Sequence, residues 1–291
     1  PLESYLAYYR QFDVDEPLTA PWAESEDTLP HALRAVRNYW PPLAPESLKE
    51  MRRAYYALIT HIDHQMRVVF GTLREEKLLD NTIVLICADH GDMLGDFGLY
   101  AKRVFYENSA RIPFVLMGLP GDERTPTGSV DGRLVGLQDV MPTLLDLAGI
   151  EIPESCDGMS IIGEEKRETL YGEALENDNA SRMIHDGRLK LIWYPAGNHR
   201  QLFDLDVDPG ELNNVADDPS YIDQRQDLEV RLAAYCYGKD VNEGWVKDGK
   251  LIGYSPGPYV PKPDRTLSAQ RGLHYPQPPP GDSNPTAGFP D

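Results

Sequence analysis

The sequence predicts an α/β protein with a mixed, largely parallel sheet between helices and a small C-terminal antiparallel α+β subdomain. Three observations carry that expectation. A long amphipathic helical stretch runs straight into an unbroken apolar, β-branched run at residues 82–88 (TIVLICA), and helix followed by buried strand is the rhythm of a parallel sheet. A second short apolar run, Phe114–Met117, is followed at residues 137–148 by another amphipathic helix. Farther on, Asp186 and Gly187 stand between two strand-like runs, which is a hairpin signal.

Residues 1–46 are aromatic and punctuated by Pro17, Pro21, Pro30, Pro41, Pro42 and Pro45. They read as an irregular, surface-hugging excursion with short helical turns. Residues 47–79 place Met51, Tyr55, Leu58, Ile59, Ile62, Met66, Val69, Phe70 and Leu73 on one face of a helix. Pro45 and Ser47 are start signals, and Asp80-Asn81 ends the run. The strand at 82–88 is expected to be buried on both faces. Residues 91–111 form a long Gly-rich loop with one helical turn. The helix at 137–148 is closed by Gly149. After Ile161 come a strand at 169–174, a hairpin of 182–185 with 188–194, a strand at 201–205, an Asp208-Pro209-Gly210 turn and a helix at 221–235. Three units are expected: 1–160, the α/β domain; 161–240, the small subdomain; and 241–291, a Pro/Gly-rich extended tail. By composition the tail is an arm on this chain, an arm on a neighbouring subunit that holds a homo-oligomer together, or a disordered end.

Composition sets limits on function. The 28 basic against 47 acidic residues give a net charge of −19, which argues against a nucleic-acid or anionic-membrane partner. No run approaches the roughly 18 apolar residues of a membrane span. Cys87, Cys156 and Cys236 are odd in number and lack metal-ligand spacing, which excludes a disulfide scaffold and a zinc ribbon. Their scarcity mildly favours a reducing compartment; cytoplasm and periplasm both stay open. The chain begins at Pro1, and no signal peptide is visible.

Asp89-His90-Gly91 follows the strand at 82–88 directly. In open α/β sheets ligands sit at the carboxyl ends of strands. Asp offers a hard oxygen and His a nitrogen, and a cation held between them polarises a phosphoryl or sulfuryl oxygen. The structural alternative is a loop whose Asp caps a turn. Asp92 and Asp96 read as loop caps, with extra ligands as the alternative. Tyr106, Glu107 and Arg111 read as braces of the loop. Asp63 reads as a hydrogen-bonded core carboxylate, His61 and His64 as surface or satisfied core residues, and His185 as turn polarity. The acidic run from Asp204 to Asp218 reads as a solvated face.

Residues 88–118, ADHGDMLGDFGLYAKRVFYENSARIPFVLMG, resemble a pattern of the sulfatase family within the alkaline-phosphatase-like superfamily. The ordered matches are Asp89-His90-Gly91, Leu94-Gly95-Asp96-Phe97-Gly98-Leu99, Lys102, Tyr106-Glu107 and Arg111-Ile112-Pro113. The segments GLQDVMPTLLDLAGI and QLFDLDVDPGELNNVADDP resemble later stretches of the same family. The resemblance covers residues 50–220 well and 1–50 loosely.

It implies an alkaline-phosphatase-like fold and hydrolysis of a small-molecule sulfate ester. By the same resemblance Asp89 and His90 are metal ligands, for Ca²⁺ with Mg²⁺ and Mn²⁺ as alternatives, and Lys102 is the catalytic contact to the sulfate oxygens. A compact ammonium suits an anion that gains charge at its leaving oxygen. Two features of the family are missing. The Cys/Ser-x-Pro-x-Arg motif that yields its formylglycine nucleophile is absent from the sequence, as are the early acidic ligands. The chain is therefore expected to be the C-terminal portion of a sulfatase, inactive alone, with a missing N-terminal segment of the same protein as its partner. A phosphonate or phosphodiester hydrolase of the superfamily, or a noncatalytic cation-binding module, stay open as alternatives.

Overall fold

Alternation along two strands organises the molecule. In β4 (Ser181–His185) and β5 (Leu189–Tyr194), nearly every residue is buried, so both faces of the sheet they belong to are covered. Met183, Ile192 and Tyr194 face one core, and Ile184, Leu191 and Trp193 face the other, as the two-residue period of a strand requires. The Asp-Gly turn between them forms as expected: Gly187 has φ +103, and Asp186 Oδ1 accepts from the Arg188 and Leu189 amides. With β3 (Leu170–Ala174) and β6 (His199–Asp204) they make a four-stranded antiparallel sheet in the order β3-β4-β5-β6. The structure is a computed structural model and describes residues 1–38 and 43–260.

One face of this sheet carries α6 (Ile222–Tyr235), through Leu228 and Leu232. The same core takes in Trp245, Val246 and Leu251, from a segment that composition groups with the tail. That segment forms α7 (Lys239–Asn242) and the short pair β7 (Val246–Lys247) and β8 (Lys250–Leu251). Asp240 fixes it by a two-pronged bond to the buried Arg182 guanidinium, at 2.7 and 2.8 Å. Tyr259 reaches back to the Arg34 carbonyl. The remaining tail, 261–291, and with it most of the oligomer expectation, lies outside the described residues.

The opposite face of the sheet meets the N-terminal segment and the 92–106 loop. The described part of residues 1–46 does not merely hug the surface. It forms α1 (Glu3–Tyr9), two 3₁₀ turns and α2 (His31–Arg37), and Ala20, Ala23, Leu29, Leu33 and Val36 join a core with Met93, Phe97, Leu99, Tyr106 and Phe203. Trp22 is the hinge of this packing: its ring lies 4.7 Å from Phe97 and 5.0 Å from Tyr106. The prolines break long helices here yet leave short turns, and short turns suffice to bury alanines and leucines.

The long helix forms as α3 (Pro45–Glu75). Its partner is α1, joined by Tyr9 Oη to Thr60 Oγ1 at 2.7 Å and Tyr5 Oη to His64 Nδ1 at 2.8 Å. Only Arg52 and Ala57 of α3 are buried. Leu58, Ile59, Ile62 and Val69 of the expected core face are exposed, and so is Asp63, which corrects the core reading of that carboxylate.

β1 (Val84–Cys87) and β2 (Phe114–Met117) stand where the apolar runs placed them. The mixed α/β class holds, but the largely parallel sheet is not built by the described residues. β1 and β2 pair antiparallel, Val84 opposite Met117 and Cys87 opposite Phe114. A parallel neighbour needs a crossover that carries the chain back to the strand's starting end. The 88–113 connection stays at one end of the pair, with α4 (Glu107–Ala110) as its single helical turn. Nor are these strands buried on both faces: Cys87, Val115 and Met117 are exposed. α5 (Val140–Leu147) follows, closed by Gly149 at φ +68. Among the described residues no helix is long and apolar enough to cross a membrane.

Candidate active site

The end of β1 delivers Asp89, His90 and Gly91 into the loop, and the loop folds back to bring Lys102 against them. His90 donates its backbone N–H to Asp89 Oδ1 at 3.0 Å. Its ring Nδ1 lies 2.7 Å from the Gly91 carbonyl oxygen. A carbonyl only accepts, so Nδ1 carries the proton and Nε2 presents its lone pair. That lone pair lies 3.2 Å from Asp89 Oδ2 and 2.5 Å from Lys102 Nζ. An ammonium only donates, so Lys102 is the donor of this contact. The three residues read from the sequence as metal ligands and anion contact thus converge on one point, with Asp89 and Lys102 exposed and His90 half-buried.

Gly91 is required by a close approach. A Cβ on it would stand 2.1 Å from the Asn108 carbonyl oxygen, and its N–H donates to the Ser109 carbonyl at 2.8 Å. Asp92 Oδ1 accepts from Leu94 N at 2.9 Å and Ala101 N at 3.1 Å. Met93 N bonds the Ala101 carbonyl at 2.7 Å, with the Met93 side chain fully buried. These bonds close the loop on itself just before Lys102. Lys102 is then held between two left-handed residues, Ala101 at φ +61 and Arg103 at φ +86. Non-glycine residues in that region are strained, and Leu94 and Phe97 of the same loop share it.

Asp96 is the inner brace. It is 2 % exposed and accepts from Leu18 N at 2.8 Å, Arg52 Nη1 at 3.2 Å and Asn108 Nδ2. Asp92, through Oδ1, and Asp96, through both oxygens, therefore cap the loop. Tyr106 is fully buried, its hydroxyl 2.7 Å from Gln201 Oε1, and burial pushes its phenol well above the ordinary value. Glu107 is tied to the C-terminal sheet by Lys190 at 2.7 Å, and its N–H to Glu211 Oε2 at 2.6 Å. Arg111 is exposed, 3.6 Å from Glu107. His185 does not join the site. It lines a separate cleft of about 960 Å³ between β2 and the four-stranded sheet, where burial pushes its imidazole down.

Lys190 and Glu211 were not singled out by the sequence reading, although a signal existed. Lys190 interrupts an otherwise apolar strand, LKLIWY, and a charge at such a position needs a partner.

Asp89 and His90 suit a hard cation. Two donors 3.2 Å apart match the spacing of neighbouring ligands on an ion with bonds of about 2.3–2.6 Å. The set is incomplete: among the described residues no group of three or more His, Cys, Asp or Glu side chains is placed to hold a metal.

This geometry agrees with the sequence comparisons. The sulfatase profile matches residues 4–150, half of the chain, and the profile "N-sulphoglucosamine sulphohydrolase, C-terminal" matches residues 95–236. The chain belongs to the sulfatase family. An arylsulfatase of Clostridium perfringens is 34% identical over 260 residues, covering 87% of this chain and 53% of that protein. A choline-sulfatase of Rhizobium meliloti is 40% identical over 186 residues, covering 60% of this chain and 35% of that protein. Among solved structures, a phosphonate monoester hydrolase from Silicibacter pomeroyi superposes with a TM-score of 0.67 at 25% identity, over 76% of this chain and 50% of that one. The alkaline-phosphatase-like α/β fold of the sulfatases is thereby shared. The chain spans about half or less of the length of these relatives.

Proposed function

We propose that this chain supplies the C-terminal part of a sulfuric ester hydrolase and holds part of its metal and anion site. The observation that carries the reading is that Asp89 Oδ2 and Lys102 Nζ both approach His90 Nε2, at 3.2 and 2.5 Å, at the end of β1. Asp89 and His90 would hold a divalent cation, Ca²⁺ by the family resemblance. Bound there, it supplies Lewis-acid polarisation of an ester oxygen. The Nδ1–H bond to Gly91 fixes the His90 tautomer, which would leave the Nε2 lone pair available to a cation. Lys102 now covers that lone pair. Its unbranched, exposed stem allows the ammonium to turn to the sulfuryl oxygens, where it stabilises the charge that grows as the ester bond breaks. The strained backbone on either side of Lys102 narrows the directions from which it approaches. The remaining ligands and the formylglycine nucleophile would come from a segment of the same protein preceding Pro1. The names of the relatives, arylsulfatase and choline-sulfatase, support a small sulfate ester as substrate.

The solved phosphonate monoester hydrolase favours a second reading, in which the same site cleaves a phosphonate or phosphodiester. Paired substrates separate the two. The intact protein is assayed on p-nitrophenyl sulfate and p-nitrophenyl phenylphosphonate, and its peptides are weighed for an aldehyde-bearing Cys/Ser-x-Pro-x-Arg peptide. Turnover of the sulfate ester is expected, abolished by chelation and cut about 10²–10³-fold by Lys102→Met. Turnover of the phosphonate ester alone would establish the second reading. No turnover of either, with no such peptide, would sink both.

A further inference from the structure

The C-terminal sheet does more than complete the fold. Lys190 lies on β5, 2 % exposed, and its ammonium points out of that sheet into the loop of the candidate site. It donates to the Phe105 carbonyl at 2.8 Å and Glu107 Oε1 at 2.7 Å, and lies 2.8 Å from Glu211 Oε1. Two of its donors thus make hydrogen bonds, and the third contact, to Glu211 Oε1, is an ion pair without hydrogen-bond geometry. Glu211 is also 2 % exposed. It accepts the Glu107 N–H at 2.6 Å, and its carbonyl is held by Trp22 Nε1 at 2.9 Å. One cation thus sits between two carboxylates, Glu211 buried and Glu107 half-buried at the edge of the cleft.

Both ends of the site hang from this cluster. Upstream, Phe105 is joined through Val104 and the left-handed Arg103 to Lys102. Downstream, Glu107 opens α4, whose Ser109 carbonyl receives the Gly91 N–H at 2.8 Å and whose Asn108 reaches Asp96. The segment that sets the position of Lys102 and the segment that sets the position of His90 share one anchor. Stability alone is a poor reason for such an anchor, because a buried ion cluster is often no better than apolar side chains of equal volume. A fixed geometry for an exposed cation is a better reason.

We propose that Lys190 is a positioning residue: with Glu107 and Glu211 it clamps residues 105–107 to the C-terminal sheet and thereby sets Lys102 against His90. The catalytic consequence rests on the hydrolase reading above; the clamp itself does not.

The test uses the intact protein and two readouts. Amide hydrogen exchange is followed by mass spectrometry in Lys190→Met and Glu211→Gln. Residues 89–111 are expected to exchange at least about tenfold faster in Lys190→Met, with α6 unchanged. Glu211→Gln keeps the shape of the cluster and serves if Lys190→Met does not fold; it is expected to shift the same amides, by about threefold or more. The second readout is a double-mutant cycle on sulfate-ester hydrolysis. Lys190→Met is expected to lower kcat at least about tenfold with KM little changed, and to cost less than about twofold in a Lys102→Met background. Unchanged exchange, or an equal loss of kcat in both backgrounds, overturns the proposal. A wild-type protein with no sulfate-ester turnover overturns the sulfate-ester reading instead, and the exchange data alone then uphold or overturn the clamp.

Discussion

Gly91→Ala puts the closest contact of the site under strain. The added Cβ would stand 2.1 Å from the Asn108 carbonyl oxygen and 3.0 Å from its carbon. Both are backbone atoms of α4, so no side chain can swing away. Ordinary contact begins near 3.4 Å, so the two segments must part by more than an ångström. That separation stretches the 2.8 Å bond from Gly91 N to the Ser109 carbonyl. Overpacking of this kind costs about 1–3 kcal/mol, and a lost backbone hydrogen bond adds about 1 kcal/mol. We expect a loss of about 2–4 kcal/mol in urea unfolding, a fall in midpoint of about 1 M or more. Gly71→Ala is the control. It lies inside α3 with nothing within 4 Å of its Cβ position, and should gain about 0.5–1 kcal/mol from helix propensity alone. If Gly91→Ala unfolds within about 0.5 kcal/mol of wild type, the close approach is not a constraint, and this account of the third residue of Asp-His-Gly is wrong.

Asp240→Ala strands the buried Arg182 guanidinium, bonded at 2.7 and 2.8 Å in the native protein; a loss of about 3–5 kcal/mol is expected, and a thermal scan showing less than about 1 kcal/mol would contradict it. Ala101→Gly relieves a left-handed residue at φ +61 and should raise stability by about 1 kcal/mol while lowering sulfate-ester turnover, so calorimetry and kinetics should move in opposite directions. Burial holds the His185 and His199 imidazoles below their ordinary value of 6.5. The unfolded chain therefore binds more protons than the folded one just below pH 6.5, and stability should fall as pH drops through that window. His185→Gln should flatten this slope in melting curves taken between about pH 7 and 5; an unchanged slope would remove His185 as its cause.

Much of this was legible in the chain because it rests on local signals. The Asp-Gly hairpin, the apolar runs of β1 and β2, the α5 helix with Gly149 and the long α3 are set by periodicity and turn chemistry over a few residues. That Asp89, His90 and Lys102 come together is likewise local, since all three lie within one short loop; their roles were an implication of the family resemblance. What that local pattern left open was direction and burial. Whether β2 runs with or against β1 depends on which end of the sheet the 88–113 connection occupies, and no periodicity encodes that. Whether Leu58 and Ile62 of α3 are covered depends on what packs against them; here the partner of α3 is α1, on another side of the helix. The proline-rich first 46 residues looked peripheral because composition does not reveal that Trp22 reaches Phe97 and Tyr106 across 70 or more residues of chain. The clamp of Lys190 on Glu107 and Glu211 is of the same kind. A lysine inside an apolar strand announces that it needs partners, but only tertiary structure decides which carboxylates reach it, because the partners come from segments that meet solely through packing.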